Sequence, residues 1–302
     1  MSEKAHRLAV IDIGSNAIRL QVSHVHPEHL YPRFKRLEYV RFPLRLGKEV
    51  FHQYRISEES AEKIIDLMQA YRLLMRLYEV EDYMACATSA MREAENGADI
   101  VEKIRQQHDL DIEVISGQRE SEVLGKAIEH LTQHGAYLHV DVGGGSTEVN
   151  FYENGQKLAG RSFPIGGVRQ LHRNRADFDT EAMHNWIHKQ SKRLSSEPRA
   201  IGTGGNINKL RSLLNKKETV FIPYKDIFKL HTKLARLSYE ERMDGYDLNP
   251  DRADVIVTAG QIYLSVMETA GVKKVIVPNV GLREGMLRML LERNRIPVAF
   301  PD

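Results

Sequence analysis

Three consecutive glycines separate two strand-like segments in LHVDVGGGSTEV, which runs from Leu138 to Val149. The apolar residues on either side predict two buried strands joined by a tight turn. Because glycine has no Cβ, backbone N–H groups in such a turn can approach an anion closely. One acid, Asp141, precedes the turn and another, Glu148, follows it. A glycine turn flanked by two carboxylates predicts a strand pair built around a ligand.

Two further glycine turns follow strand-like segments. The segment LAVIDIGSNAIRLQV contains the first, and GTGGN at Gly202–Asn206 is the second. The second lies at a predicted strand-to-helix junction, where the helix dipole adds attraction for an anion. One such turn is weak evidence, but three of them predict a site for more than one phosphate. The candidate phosphate-binding residues in the turns are Gly14, Ser15, Asn16, Gly143, Gly144, Gly145, Ser146, Gly204 and Gly205.

The acids beside these turns predict a metal ion. Bare carboxylates would repel a bound phosphate unless a divalent cation lay between them. Mg²⁺ prefers oxygen ligands and commonly bridges one or two carboxylates to substrate phosphates. Asp12, Asp141 and Glu148 are therefore candidate ligands of Mg²⁺ or another divalent cation. Any one of these acids alone could instead cap a turn, but their recurrence in both halves of the chain favours the metal.

The order of predicted elements repeats once along the chain. A β-β-β-α-β-α-β module restarts near residue 136, which predicts mixed sheets covered by helices. We expect an N-terminal domain over residues 1–124 and a C-terminal domain over 125–283, with a closing helix at about 284–302 that packs back on the first. The predicted elements include a strand at 112–116 and helices at 57–80, 118–132 and 250–270.

Composition excludes several classes of protein. The chain has 302 residues, 42% hydrophobic and 28% charged, which is typical of a globular protein and not of a disordered one. The most apolar run, Val255–Met267, is shorter than the roughly 20 residues of a membrane helix. A single cysteine, Cys86, can form neither an internal disulfide nor a thiolate cluster, so we expect a reducing, cytoplasmic setting. We expect no membrane partner.

The charges point to a local anion site. The net charge is only +2, so nothing in the composition demands nucleic acid, and we expect none as a partner. However, the segment RFKRLEYVRFPLRLGK from Arg33 to Lys48 contains six basic residues and one acidic residue. This segment suits an anionic ligand, although a solvated strand face explains it equally well.

Seven motifs occur in an order that resembles the exopolyphosphatase / guanosine pentaphosphate phosphohydrolase family. They are DIGSNAIRL, ATSAMREAENG, IEVISGQRESE, DVGGGSTEV, IGTGGN, DRADVI and GLREGML. The resemblance extends from Leu8 to about Leu290 and is to the short, two-domain form of the family. It implies an α/β protein with two ribonuclease H-like domains of the actin-like ATPase fold, facing each other across a cleft. We also expect a homodimer.

The resemblance also implies roles for individual residues. The segment SGQRES would supply the catalytic base as Glu120, with Glu122 as the alternative if the register differs; Ser121 stands where the family usually has alanine. Arg19 and Arg92 would bind phosphate, although a structural ion pair is the alternative for each. Asp141 and Glu148 would take part in catalysis together with the metal.

The predicted function is exopolyphosphatase activity. In this hypothesis, Glu120 activates a water that attacks the terminal phosphorus of inorganic polyphosphate. One alternative is the related hydrolysis of guanosine pentaphosphate (pppGpp) to the tetraphosphate. Another is a non-catalytic sensor of nucleotides or guanosine alarmones.

Overall fold

A computed structural model describes residues 6–26, 33–171, 180–218 and 220–296 of the chain. It contains two compact units, the first made of residues 1–127 together with 282–302 and the second of residues 128–281. Residues 297–302 of the predicted closing helix lie outside the described part. No helix among the described residues is both long enough and apolar enough to cross a bilayer.

The first unit is built on a five-stranded sheet with the order β3-β2-β1-β4-β5. β1, β2 and β3 pair antiparallel, whereas β4 and β5 continue the sheet parallel to β1. The strands are β1 (His6–Ile13), β2 (Ile18–His26), β3 (Arg33–Phe42), β4 (Asp82–Ala87) and β5 (Glu113–Val114).

The second unit is built on a six-stranded sheet with the order β10-β11-β9-β6-β7-β8. Five of its strands repeat the arrangement of the first sheet, and β10 is added antiparallel to β11 at the edge. The repeat predicted from the sequence is thus present in the strand order. The strands are β6 (Ala136–Val142), β7 (Thr147–Glu153), β8 (Gln156–Phe163), β9 (Arg199–Thr203), β10 (Ile222–Pro223) and β11 (Lys274–Ile276).

Helices connect and cover the strands of both sheets, so the α/β class with two mixed-sheet domains is confirmed. The helices are α1 (Gly47–Gln53), α2 (Glu58–Leu77), α3 (Ser89–Glu93), α4 (Gly97–His108), α5 (Gly117–Ile128), α6 (Glu181–Ser191), α7 (Gly205–Leu213), α8 (Tyr224–Arg236), α9 (Tyr239–Tyr246), α10 (Pro250–Ala253), α11 (Val255–Thr269) and α12 (Leu282–Arg293). A 3₁₀ turn, Glu129–Leu131, follows α5.

Strand β1 shows why the first sheet needs helices on both faces. Successive side chains of a strand point to opposite faces, and both sets in β1 are buried. Ile11 belongs to the same core as Ile64 of α2, whereas Val10 belongs to the core that includes Leu287 of α12. Since a sheet buried on both faces reads as a continuous apolar run, this strand could be predicted from the sequence.

Strand β6 differs because only one of its faces is apolar. Leu138, Val140 and Val142 lie in the core of the second unit with α11. The alternate positions hold His139 and Asp141, and His139 is fully buried. Burying polar side chains costs free energy unless they are hydrogen-bonded, so a polar row on a central strand marks a candidate site.

Candidate functional site

The β6–β7 hairpin places two acids side by side. Its loop is closed by the Gly143 N–H, which donates to the Ser146 carbonyl at 2.9 Å. Asp141 and Glu148 are direct cross-strand partners, so their side chains share one face of the sheet. Glu148 is fully buried, and its Oε1 accepts a hydrogen bond from Ser162 Oγ at 2.8 Å. Like charges in this arrangement repel each other, which favours a cation beside them.

The carbonyls of the glycine loop accept hydrogen bonds from a neighbouring segment, which holds the loop backbone in place. Backbone N–H groups of residues 167–169 donate to the carbonyls of Gly143 and Gly144 at 2.8–3.0 Å. Arg169 Nε donates to the carbonyl of Gly145 at 2.7 Å. Within the described residues, the N–H groups of Gly144, Gly145 and Ser146 donate to no backbone carbonyl. Adjacent N–H groups in a turn can form an anion-binding concavity, so this geometry is compatible with the predicted phosphate loop.

The glycine turn at Gly202–Asn206 lies against Asp141. Thr203 pairs with Asp141 in the β6–β9 register, and its hydroxyl donates to Asp141 Oδ2. Gly204 follows with φ +97°, and a Cβ there would lie 2.9 Å from Asp141 Oδ1. Glycine is therefore required at this position both for the backbone conformation and for the close approach. Gly205 begins α7, and its carbonyl accepts from Arg252 Nη1 at 2.8 Å.

The β1–β2 hairpin of the first unit has the same geometry but different chemistry. The Gly14 N–H donates to the Ala17 carbonyl at 3.2 Å, and Asp12 lies opposite Arg19. Arg19 Nη1 contacts Asp12 Oδ2 at 2.8 Å, with the side chains only 20% and 11% exposed. Burial alone would lower the pKa of Arg19, but the charge and hydrogen bond of Asp12, with a smaller contribution from Tyr39, raise it above its ordinary value.

Neighbouring segments hold this first loop in place. The Gly47 and Arg45 N–H groups donate to the carbonyls of Ser15 and Asn16, at 2.8 and 3.2 Å. Ser15 Oγ lies 2.8 Å from Ser89 Oγ at the start of α3, and both residues are buried. These contacts fix the predicted phosphate-binding loop against a helix of the same unit.

Glu120 lies in the first turn of α5, where a carboxylate is favoured by the helix dipole. Its side chain is 12% exposed, and Oε2 lies 3.8 Å from Arg92 Nη1. Arg92 also donates to the Ile115 carbonyl at 2.6 Å, which anchors the guanidinium beside the acid. Glu122, the alternative base, is exposed, and its carboxylate contacts Arg119. Both acids lie beside an arginine, but of the two only Glu120 is partly buried.

The acidic pair fits a divalent cation with few protein ligands. Among the described residues, no group of three or more His, Cys, Asp or Glu side chains is arranged to hold a metal. Mg²⁺ is usually bound by one or two carboxylates, with water and substrate phosphate completing its shell. Asp141 and Glu148 satisfy that requirement, and the chemistry of this donor set fits the ion. Asp12 is already engaged by Arg19.

The structure groups the predicted site residues by unit. Asp12, Gly14, Ser15, Asn16, Arg19, Arg92 and Glu120 belong to the first unit, and Asp141, Gly143, Gly144, Gly145, Ser146, Glu148, Gly204 and Gly205 to the second.

Three residues that contact the candidate site were not predicted from the sequence: Thr203, Ser162 and Arg252. Thr203 lies within the quoted GTGGN motif and Arg252 within DRADVI, so both motifs contained a signal. Ser162 had none, because its contact with Glu148 depends on the β7–β8 register.

Solved structures with this fold include a Ppx/GppA family member from Aquifex aeolicus. It is 26% identical with a TM-score of 0.78, and the match covers 96% of this chain and 99% of that one. An exopolyphosphatase from Cytophaga hutchinsonii is 25% identical with a TM-score of 0.82, and the match covers 95% of this chain and 98% of that one.

Two of the sequence relatives carry different names. Exopolyphosphatase 1 of Mycobacterium tuberculosis is 24% identical, and the match covers 95% of this chain and 88% of that protein. A guanosine-5'-triphosphate,3'-diphosphate pyrophosphatase of Photobacterium profundum is 24% identical, and the match covers 95% of this chain and 60% of that protein. The model of the Ppx/GppA phosphatase family matches residues 22–294, most of the chain. The chain therefore belongs to the Ppx/GppA phosphatase family.

Proposed function

We propose that this protein is an exopolyphosphatase, which hydrolyses the terminal phosphate of inorganic polyphosphate. The observation that carries the proposal is the β6–β7 hairpin, where Asp141 and Glu148 flank a loop that offers three N–H groups. This arrangement suits a phosphoryl group and a cation together. The exopolyphosphatase of M. tuberculosis matches over 88% of its own length, which favours polyphosphate as the substrate.

In this mechanism, Glu120 accepts a proton from a water molecule. The water oxygen forms a bond to the terminal phosphorus, and the bond from that phosphorus to its bridging oxygen breaks in line. The shortened chain leaves with the electron pair, so the products are orthophosphate and a polyphosphate one unit shorter. Arg92 holds Glu120 in place, and Arg19 and the loop N–H groups bind phosphate oxygens.

A bound Mg²⁺ would supply charge neutralisation at the phosphoryl oxygens. Asp141 and Glu148 would hold it. Asp12 remains a candidate third ligand, but the cation would have to compete with Arg19 for its carboxylate. Ser162 and Thr203 each donate to one of the two principal acids and so orient them.

The substrate assay compares long polyphosphate, tripolyphosphate, pppGpp and ATP with Mg²⁺ present, and liberated orthophosphate is counted. We expect the highest kcat/KM with long polyphosphate. The runner-up is pppGpp, favoured by the relative from P. profundum, whose match also covers 95% of this chain. Binding of pppGpp or ATP without phosphate release from any substrate would support the sensor alternative and contradict the proposal.

The assignment of the base predicts a difference between two neighbouring acids. Glu120→Gln should reduce kcat by at least about 100-fold, because the amide cannot accept the proton from water. The dissociation constant for polyphosphate should change little. Glu122→Gln is the matched control, since this exposed acid lies on the same helix, and its kcat should remain near that of the wild type. An active Glu120→Gln variant would contradict the assignment.

We further propose a cytoplasmic homodimer that acts without nucleic acid or membrane. The single cysteine, Cys86, is buried in the structure, which suits a reducing compartment. Sedimentation of the purified protein would test the dimer.

A further inference from the structure

A continuous chain of buried hydrogen bonds leads to Asp141 from the interior of the second sheet. His139 occupies the centre of β6, opposite Asn150 on β7. The Asn150 amide nitrogen lies 3.1 Å from His139 Nδ1, and His139 Nε2 lies 2.9 Å from Thr203 Oγ1. Thr203 then donates to Asp141 Oδ2. Asn150, His139 and Thr203 are all fully buried.

The hydrogen bonds of this chain form one consistent donor-to-acceptor series. An amide nitrogen can only donate, so His139 Nδ1 is an acceptor without a proton. The Thr203 hydroxyl donates its hydrogen bond to Asp141 Oδ2, so the Thr203 oxygen accepts from His139 Nε2–H. In this arrangement the imidazole carries its proton on Nε2.

Surrounding groups hold the chain in place from both ends. The Tyr263 hydroxyl accepts from the Val142 N–H at 3.0 Å and donates to the Thr203 carbonyl, which ties β6 to β9 beside Asp141. Gly160 lies opposite Asn150 on β8, and a Cβ there would collide with Asn150 Oδ1. Several independent contacts thus position one hydroxyl proton at one oxygen of Asp141.

We propose that Asn150, His139 and Thr203 act as positioning residues, which orient the Asp141 carboxylate for binding a divalent cation. This inference rests on the proposed function, because Asp141 matters only if it is a metal ligand. A carboxylate held by a fixed donor loses less rotational freedom when it binds a cation, since its orientation is already set. Hydrogen-bond partners of metal ligands typically change metal affinity or activity by 10–100-fold when they are removed.

The test measures the dissociation constant for Mn²⁺ alone by electron paramagnetic resonance, and then kcat and KM for polyphosphate. Thr203→Val and His139→Leu should each weaken Mn²⁺ binding by about 10–100-fold. The double variant should be little worse than either single variant, because both interrupt one chain. Thr203→Ser, which keeps the hydroxyl, and His139→Gln, which keeps a donor in place of Nε2, should recover most of the affinity.

A matched control removes a similar hydrogen bond elsewhere in the same unit. His184 Nε2 of α6 is hydrogen-bonded to Ser265 Oγ of α11, outside the chain that leads to Asp141. His184→Leu should therefore bind Mn²⁺ like the wild type. Circular dichroism checks that each variant is folded. If His139→Leu does not fold, the comparison of Thr203→Val with Thr203→Ser decides the question.

Two results separate failure of this inference from failure of the proposed function. If Asp141→Asn loses Mn²⁺ but folded Thr203→Val binds it as tightly as Thr203→Ser, the positioning role is wrong and the metal site stands. If the wild type binds no Mn²⁺, or Asp141→Asn binds it equally well, Asp141 is not a metal ligand, and both the metal part of the proposed function and this inference are overturned.

Discussion

Gly204 has no side chain for two reasons, its left-handed backbone conformation and the carboxylate of Asp141 beside it. Its φ of +97° is a region that L-residues rarely adopt, and Asp141 Oδ1 occupies the space of a side chain. Gly204→Ala should lower the free energy of unfolding by about 1–2 kcal/mol. It should also reduce orthophosphate release by at least about tenfold, because the carboxylate must move. Urea denaturation and the phosphate assay measure these two effects.

Gly245→Ala is the control for that substitution. Gly245 lies in α9 with no atom within 4 Å of a Cβ, so alanine should leave activity unchanged and stabilise the helix slightly. A fully active Gly204→Ala enzyme would show that the position of Asp141 is not critical.

The contact between Thr203 and Asp141 shows where prediction of individual residues ends. The sequence identified Asp141 as a site residue because a glycine turn follows it directly. Thr203 is 62 residues away and meets Asp141 only through the parallel register of β6 with β9. Local spacing does not encode that register, so the GTGGN motif marked the segment but not the contact of its threonine with Asp141.

At the scale of elements, the hairpins around the glycine turns were predictable because turn and strand signals coincide there. Short elements were not: α1, α3 and β10 contain 7, 5 and 2 residues, too few for a hydrophobic period. The helix predicted at 250–270 is present as α10 and α11, which meet at Asp254, a residue that keeps the right-handed helical conformation (φ −80°, ψ −37°). The strand predicted at 112–116 shortens to two residues, which pair only with Cys86 and Ala87 of β4.

The end of α12 provides a pH-dependent prediction. Arg293 Nε donates to Asp82 Oδ2 at 2.9 Å, and Asn294 Nδ2 donates to the same oxygen at 2.6 Å. Burial alone would raise the pKa of Asp82, but these hydrogen bonds and the charge of Arg293 outweigh it and lower the pKa. The stabilisation is therefore present above the ordinary aspartate pKa of about 3.9 and is lost as the pH falls through the lowered value.

Asp82→Asn should accordingly be less stable than the wild type at pH 5–7 by a constant amount. Below about pH 4 the difference should shrink. Denaturant titrations across this range measure it. Glu59→Gln removes an exposed ion pair with Lys63 on α2 and should change stability much less. A difference between the Asp82→Asn variant and the wild type that persists unchanged at low pH would contradict the assigned origin of the effect.

At the scale of the whole molecule, the net charge of +2 is too small to attract a polyanion strongly. Attraction must then come from local groups, such as the basic segment between residues 33 and 48. If long polyphosphate contacts many of these cations, its KM should rise steeply with salt as counterions are released. The KM for pppGpp should rise less steeply. Measuring both KM values from low to moderate salt tests this prediction, and equal slopes would argue against contact of long polyphosphate with many of these cations.

The two copies of the glycine hairpin carry opposite charges at one equivalent position, Arg19 on β2 and Glu148 on β7. In the first copy the aspartate is already neutralised by a guanidinium, whereas the second copy leaves two negative groups adjacent. The same backbone plan therefore presents a salt-bridged pair in one unit and two carboxylates in the other, so the two loops differ in electrostatic character although they match in geometry.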